Sequence, residues 1–155
     1  MTTETSGNGN GGGTPAQQFL LRQLYVKDMS FESPNSPAIF SEPFNPEVQL
    51  DLNAQHTVVG DGLYEVVLNV SAHAKGGERS LFLVELKQAG IFQIAGYSTD
   101  EVNIILGTHC PATLFPYARE AISALVVKGG FPPLLLQPIN FDVLYAQAQR
   151  NRTLA

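Results

Sequence analysis

At 155 residues the chain can form one domain whose core needs neither disulfides nor metals. A net charge of -5 and a pI near 5.0 exclude the basic surface that nucleic-acid binding requires. Only 15% of residues are charged against 44% apolar, so surplus apolar surface has to go into an oligomer interface or a binding groove.

Residues 1–18 are polar and glycine-rich, and they predict a flexible tail. Gly7, Gly9 and Gly12 satisfy G-x-G-x-x-G, but the phosphate-cradling form needs a strand before it and a helix after it, so no nucleotide site is expected. From Phe19 to Glu32 alternation predicts a strand. One face carries Phe19, Leu21, Tyr25, Met29 and Phe31; the other carries Leu20, Leu24, Val26, Asp28, Ser30 and Glu32. The strand therefore ends with two carboxylates, Asp28 and Glu32, on one side. Pro34, Pro37, Pro43 and Pro46 hold an extended connection that presents Phe40 and Phe44.

Val48, Leu50 and Leu52 alternate with Glu47, Gln49, Asp51 and Asn53, as in an antiparallel strand over 47–54 with one wet face. Tyr64 to Ala74 predicts a third strand, Lys75-Gly76-Gly77-Glu78 a hairpin turn, and Ser80 to Lys87 a fourth strand. The period then becomes helical. Ser98 with Glu101 is a capping-box signal ahead of Val102, Ile105 and Leu106, and Pro111 stops or kinks that helix. Leu114, Ala118, Ile122 and Leu125 form the stripe of a second helix that Gly129-Gly130 ends, with Pro116 limiting where its first full turn begins. After FPPLLLQP, Asn140 caps a short final helix with Asp142 in its first turn. Strands followed by helices give an α+β domain with helices over one face of the sheet, and the remaining apolar surface calls for a symmetric homo-oligomer.

No reaction is specified. Cys110 is the only cysteine, so neither an intrachain disulfide nor a cysteine metal cluster can form, which fits a reducing cytosol. His56, His73 and His109 are scattered, and no nucleophile elbow, H-E-x-x-H, C-x-x-C or P-loop occurs. His109 beside Cys110 reads either as a thiolate pair or, more simply, as a packed cysteine next to a capping or exposed histidine. Asp28, Glu32 and Glu85 read as a solvated surface or as a docking patch. Phe40, Phe44, Leu134, Leu135 and Leu136 read as loop anchors or as a groove lining. With no basic leader running into an apolar stretch and no membrane-length apolar run, a soluble, unexported protein is expected.

The stretch CPATLFPYARE, Cys110 to Glu120, is the most specific of several colinear blocks, with YVKDMSFESPN (Tyr25 to Asn35), NPEVQLDL (Asn45 to Leu52), YEVVLNV (Tyr64 to Val70), AGIFQIAG (Ala89 to Gly96) and FPPLLLQPINFDVLY (Phe131 to Tyr145) in support. Together these blocks resemble the SecB family of bacterial export chaperones. Residues 19–147 are accordingly the chaperone domain, 1–18 a disordered tail and 148–155 a short flexible C-terminus.

The resemblance implies a four-stranded antiparallel sheet with two principal helices per protomer, assembled as a homotetramer, a dimer of dimers. It implies an ATP-independent, cytoplasmic chaperone, not an enzyme, that holds unfolded secretory precursors and delivers them to the translocation ATPase SecA. It further implies SecA docking through Asp28, Glu32, Leu83 and Glu85, and client binding through Phe44, Val48, Leu50 and Leu52, with Phe40, Phe131 and Tyr145 as weaker candidates. No cofactor is implied, and the zinc of SecA's tail belongs to that partner. Ala89 stands where the family often has glycine and Phe44 where tryptophan is common. The C-terminus AQAQRNRTLA has no long acidic segment, so an auxiliary SecA contact there is not expected. Other readings are a small oligomeric acyl-binding enzyme that uses the apolar groove, a purely structural oligomer, and a SecB-like chaperone attached to a toxin–antitoxin system.

Overall fold

A computed structural model of the chain describes residues 16–43 and 45–154, with side chains as far as Arg152. The expected flexible tail therefore lies, over residues 1–15, outside the described residues. The sheet has four antiparallel strands in the order β1-β4-β3-β2, with β1 Gln18–Glu32, β2 Glu47–Gly60, β3 Leu63–Gly76 and β4 Arg79–Ala95. β1 and β2 are the two edges. The hairpins turn on glycines with positive φ, Gly62 at 66° and Gly77 at 65°, a conformation closed to most side chains. β2 and β4 outrun the expected 47–54 and 80–87. The residues that extend β4, Gln88 to Ala95, carry buried Phe92 and Ile94, which pack on both the sheet and the helices.

Helix α1, Thr99–Gly107, opens as expected: the Ser98 hydroxyl accepts from the Glu101 amide at 3.2 Å. It ends at Gly107 because the Pro111 ring collides with the carbonyl four residues back in a continuous helix. Thr108 breaks the path, and α2, His109–Lys128, takes Pro111 into its first turn, where the missing amide costs nothing. Pro116 lies inside α2 instead of delaying its start. At the far end, Gly130 at φ 90° receives the chain. The Gly130 amide then donates to the Val127 carbonyl and the Phe131 amide to that of Val126. The last helix, α3, Phe141–Leu154, begins where Asn140 Oδ1 accepts from the Val143 amide at 3.2 Å. It is not short: it runs through 148–154, because Ala146, Gln147, Ala148, Gln149 and Arg150 are all good helix formers.

This is the expected α+β architecture, with α2 and α3 as the two long helices. One face of the sheet carries the helices. Its inner rows, Val66, Leu68, Val70, Ala72 and Ala74 of β3 with Phe82, Val84, Leu86 and Phe92 of β4, meet Cys110, Leu114, Ala118, Ile122 and Val126 of α2. α2 lies mainly on β4 and β3. The inner faces of both edge strands stay open in the single chain, with Met29 at 45%, Val48 at 40% and Leu50 at 39% exposure.

The expected pattern of β1 is corrected as well. β1 does not alternate without interruption: its register with β4 slips between Leu21 and Gln23 and again between Val26 and Asp28. Each slip is a bulge, one extra residue in the strand. Paired residues share a face, so Phe19, Leu21, Leu24, Val26, Met29 and Phe31 all lie on the helix side, opposite Ile94, Phe92, Gly90, Gln88, Leu86 and Val84. Tyr25, opposite Ala89, lies on the outer side instead.

Candidate functional site

The outer face of the sheet is built from residues that strand parity turns away from the helices. The pairs Asp28 with Lys87, Ser30 with Glu85 and Glu32 with Leu83 put Asp28, Glu32, Leu83 and Glu85 on one surface of adjacent strands. The expected docking residues are thus brought together. Asp28, Glu32 and Glu85 are exposed and Leu83, in the pair at one end, is half-buried, so a protein partner would meet three carboxylates with an apolar side chain at one end of the patch. β3 and β2 continue the rows: Asn69 and Asn53 extend the Asp28 row, Ser71 and Asp51 the Glu85 row, and His73 and Gln49 the Glu32 row. His73 Nε2 is 2.9 Å from Ser80 Oγ across the hairpin. Among the described residues no group of three or more His, Cys, Asp or Glu could hold a metal ion.

Further along the same face lies a cluster that alternation alone did not single out. Glu65 on β3 accepts from the Tyr25 hydroxyl and, at 2.8 Å, from Lys27 Nζ, tying β3 to β1 across β4. Ala89 is the β4 residue beside Tyr25, and its small side chain leaves room for that reach. The bonds from Lys27 and Tyr25 hold the Glu65 carboxyl below its usual range. Burial, then the bond to Glu65, then its charge push the Tyr25 hydroxyl up to about 12.

The helix side offers the opposite chemistry. Register forms the rows Val48–Ala74–Phe82, Leu50–Ala72–Val84 and Leu52–Val70–Leu86, so the three β2 residues expected to bind client share one face; Val48 and Leu50 are exposed on it, while Leu52 is half-buried against the core. Leu52 also lines a cleft of about 860 Å³ between β2 and helices α1 and α3, with Ala54, His56, Ile104, Leu144 and Tyr145. Tyr145 is half-buried there against Gly107, where any side chain would overlap its ring.

At the other end of β2, Phe40 is 46% exposed and lies 5.3 Å, centroid to centroid, from Phe131. Phe131 itself, at 4% exposure, is packed among Phe31, Phe40 and Phe82 in the single chain. It follows directly on the α2 cap, which turns its ring inward. Phe44 lies outside the described residues. Leu134, Leu135 and Leu136 divide, with Leu136 buried, Leu134 half-buried and Leu135 at 67% exposure.

The thiolate alternative fails on geometry. Cys110 is fully buried in the core, and burial pushes its thiol up to about 12, away from the reactive form. His109 is exposed beside the Phe19 ring.

Comparison with known proteins decides the family. The model of the preprotein translocase subunit SecB matches residues 13–152. The chain belongs to the SecB family. It is 51% identical to the protein-export protein SecB of Marinobacter nauticus over 135 residues, 87% of this chain and 82% of that one. It is 53% identical to the SecB of Methylococcus capsulatus over 133 residues, 86% of each. Among solved structures, the SecB-like chaperone of Mycobacterium tuberculosis, determined with a peptide from an antitoxin, superposes with a TM-score of 0.62 over 79% of this chain and 91% of that one. At 13% identity that likeness speaks for the fold. Membership in SecB makes the chain a protein-export chaperone, in a family that is not enzymatic. No helix among the described residues is long and apolar enough to cross a membrane.

Proposed function

We propose that this SecB-family chain is an ATP-independent holdase that captures unfolded secretory precursors in the cytoplasm and passes them to SecA, working as a dimer of dimers. The observation that carries the holdase reading is the open inner face of β2. Val48 and Leu50 lie outside the helix layer, and the same face runs through Leu52 into the Tyr145 cleft. An extended segment lying along this face buries apolar side chains at about 1.5 to 3 kcal/mol each before ordering costs. A few such contacts reach the roughly 8 kcal/mol of a micromolar complex, and repetition in a tetramer adds avidity without demanding one client sequence.

SecA docking is supported by the outer surface around Asp28, Glu32, Leu83 and Glu85, which suits a basic partner and lies on the other side of the sheet from the apolar face. Assembly is supported by the apolar outer residues of α2: Tyr117 at 47% and Val127 at 51% exposure are costly to leave in water.

The experiment is the refolding of a chemically unfolded precursor, without nucleotide, with and without the protein. Saturable slowing is the expected result. An unchanged rate for several slow-folding precursors would overturn the holdase reading.

A further inference from the structure

The second bulge of β1 decides where the acidic surface lies. With uninterrupted alternation from Tyr25, which faces outward, Asp28, Ser30 and Glu32 would turn toward the helices and Met29 and Phe31 away from them. The extra residue, Lys27, reverses that parity.

The bulge is held from both sides of the sheet. From the outer side Glu65 takes the Tyr25 hydroxyl and Lys27 Nζ, the two side chains that bracket Val26. From the inner side Gln88, only 3% exposed, donates from Nε2 to the Tyr25 main-chain carbonyl at 3.1 Å. A buried amide in an otherwise apolar row, Val26–Gln88–Leu68, is expensive unless it is bonded. The carbonyl it bonds lies just ahead of the irregular step.

We propose that Gln88, on the buried face of the sheet, is a positioning residue for the docking surface on the opposite face. It fixes the β1 bulge and so sets the presentation of Asp28 and Glu32 beside Glu85. This inference rests on the SecA-docking reading above and adds a determinant that touches no partner. Glu65 closes the clamp from outside, but it shares the exposed face with the docking residues, so a change there would mix positioning with direct contact. Gln88 separates the two. Its side chain is on the wrong side of the sheet to meet SecA.

The test replaces Gln88 by Met, of similar length and without a donor, in the full chain. Three quantities are measured: SecA affinity, arrest of precursor refolding, and amide hydrogen exchange at Asp28 and Ser30 against Phe92. The expected result is faster exchange at Asp28 and Ser30 with Phe92 unchanged, SecA binding weaker by about tenfold, and refolding arrest within about twofold of the parent. A merely structural role would move all three together, with exchange at Phe92 rising as well, and that outcome overturns the proposal. So does unaltered exchange at Asp28 and Ser30, or SecA affinity that holds while their exchange rises. If the parent chain binds no SecA, the docking reading fails on its own, and the exchange arm still decides whether Gln88 holds the bulge.

Discussion

The two edge strands of the sheet solve the same geometric problem differently. β2 pairs with β3 in unbroken register from Glu47 to Val58, so strict alternation puts Val48, Leu50 and Leu52 inside and Glu47, Gln49, Asp51 and Asn53 outside. β1 needs two extra residues to keep its apolar side chains inside, and it is pinned by Arg22 to Gln93 and by Tyr25 and Lys27 to Glu65. A regular edge with an open inner face suits a binding surface that follows an extended chain. A bulged, cross-tied edge suits a surface whose charges must be held in fixed places for one partner.

The largest effect that would sharpen this contrast is charge reversal on the β1 side. Asp28→Lys with Glu85→Lys should lower SecA affinity by roughly 100-fold, since like charge against a basic partner replaces attraction, and leave precursor arrest at the parental level. Titration calorimetry against SecA and the refolding assay read the two. Equal loss in both would break the contrast.

Next in size is a change that should blur it. A methyl group at residue 129 would overlap the Phe31 ring, which stacks on Phe82 5.9 Å away. Gly129→Ala should therefore cost about 1 to 3 kcal/mol of stability by overpacking. It should do so from the β1 side of the core, lowering the denaturation midpoint while leaving Leu50 exposed. A midpoint equal to the parent's would contradict the close approach of Phe31 to the helix cap.

How much of this was legible depended on whether a rule of spacing could see it. Ser98 with Glu101, Gly129-Gly130, Asn140 and the Gly76-Gly77 turn act through neighbours in sequence, and each sits where local chemistry put it. β2 followed period two and placed its candidate residues correctly on one face. β1 did not. The signal was nevertheless present: the apolar pairs Phe19 and Leu21, Leu24 and Val26, Met29 and Phe31 are separated by steps of three, and each step of three marks a bulge. Asp28, Glu32, Leu83 and Glu85 shared a face only once β1 was known to lie beside β4, a nonlocal fact. Glu65 and Gln88 were invisible for the same reason, because their partners are 40 and 63 residues away. The burial of Phe131 was not legible, because the helix cap that turns it inward is a matter of backbone direction.

The smallest expected effect concerns the tie itself. Burial, the bond to Glu65 and its charge raise Tyr25 from 10.0 to about 12, so Tyr25 contributes stability that is fully present below pH 10 and is lost as pH rises through the folded value. Ultraviolet titration of the parent against Tyr25→Phe should show a difference step near 12, and Glu65→Gln should bring it part of the way back because burial remains. A difference step at the ordinary tyrosine value of 10.0 would contradict the Glu65 clamp.

The separation of client and SecA surfaces is tested most directly by thiol footprinting. Ser30→Cys places a reactive group on the exposed outer face and Leu50→Cys one on the open inner face, while native Cys110, fully buried, stays silent. Unfolded precursor should slow modification at 50 and leave 30 unchanged, and SecA should do the reverse. Protection of both positions by either ligand, or of the opposite one, would contradict the account.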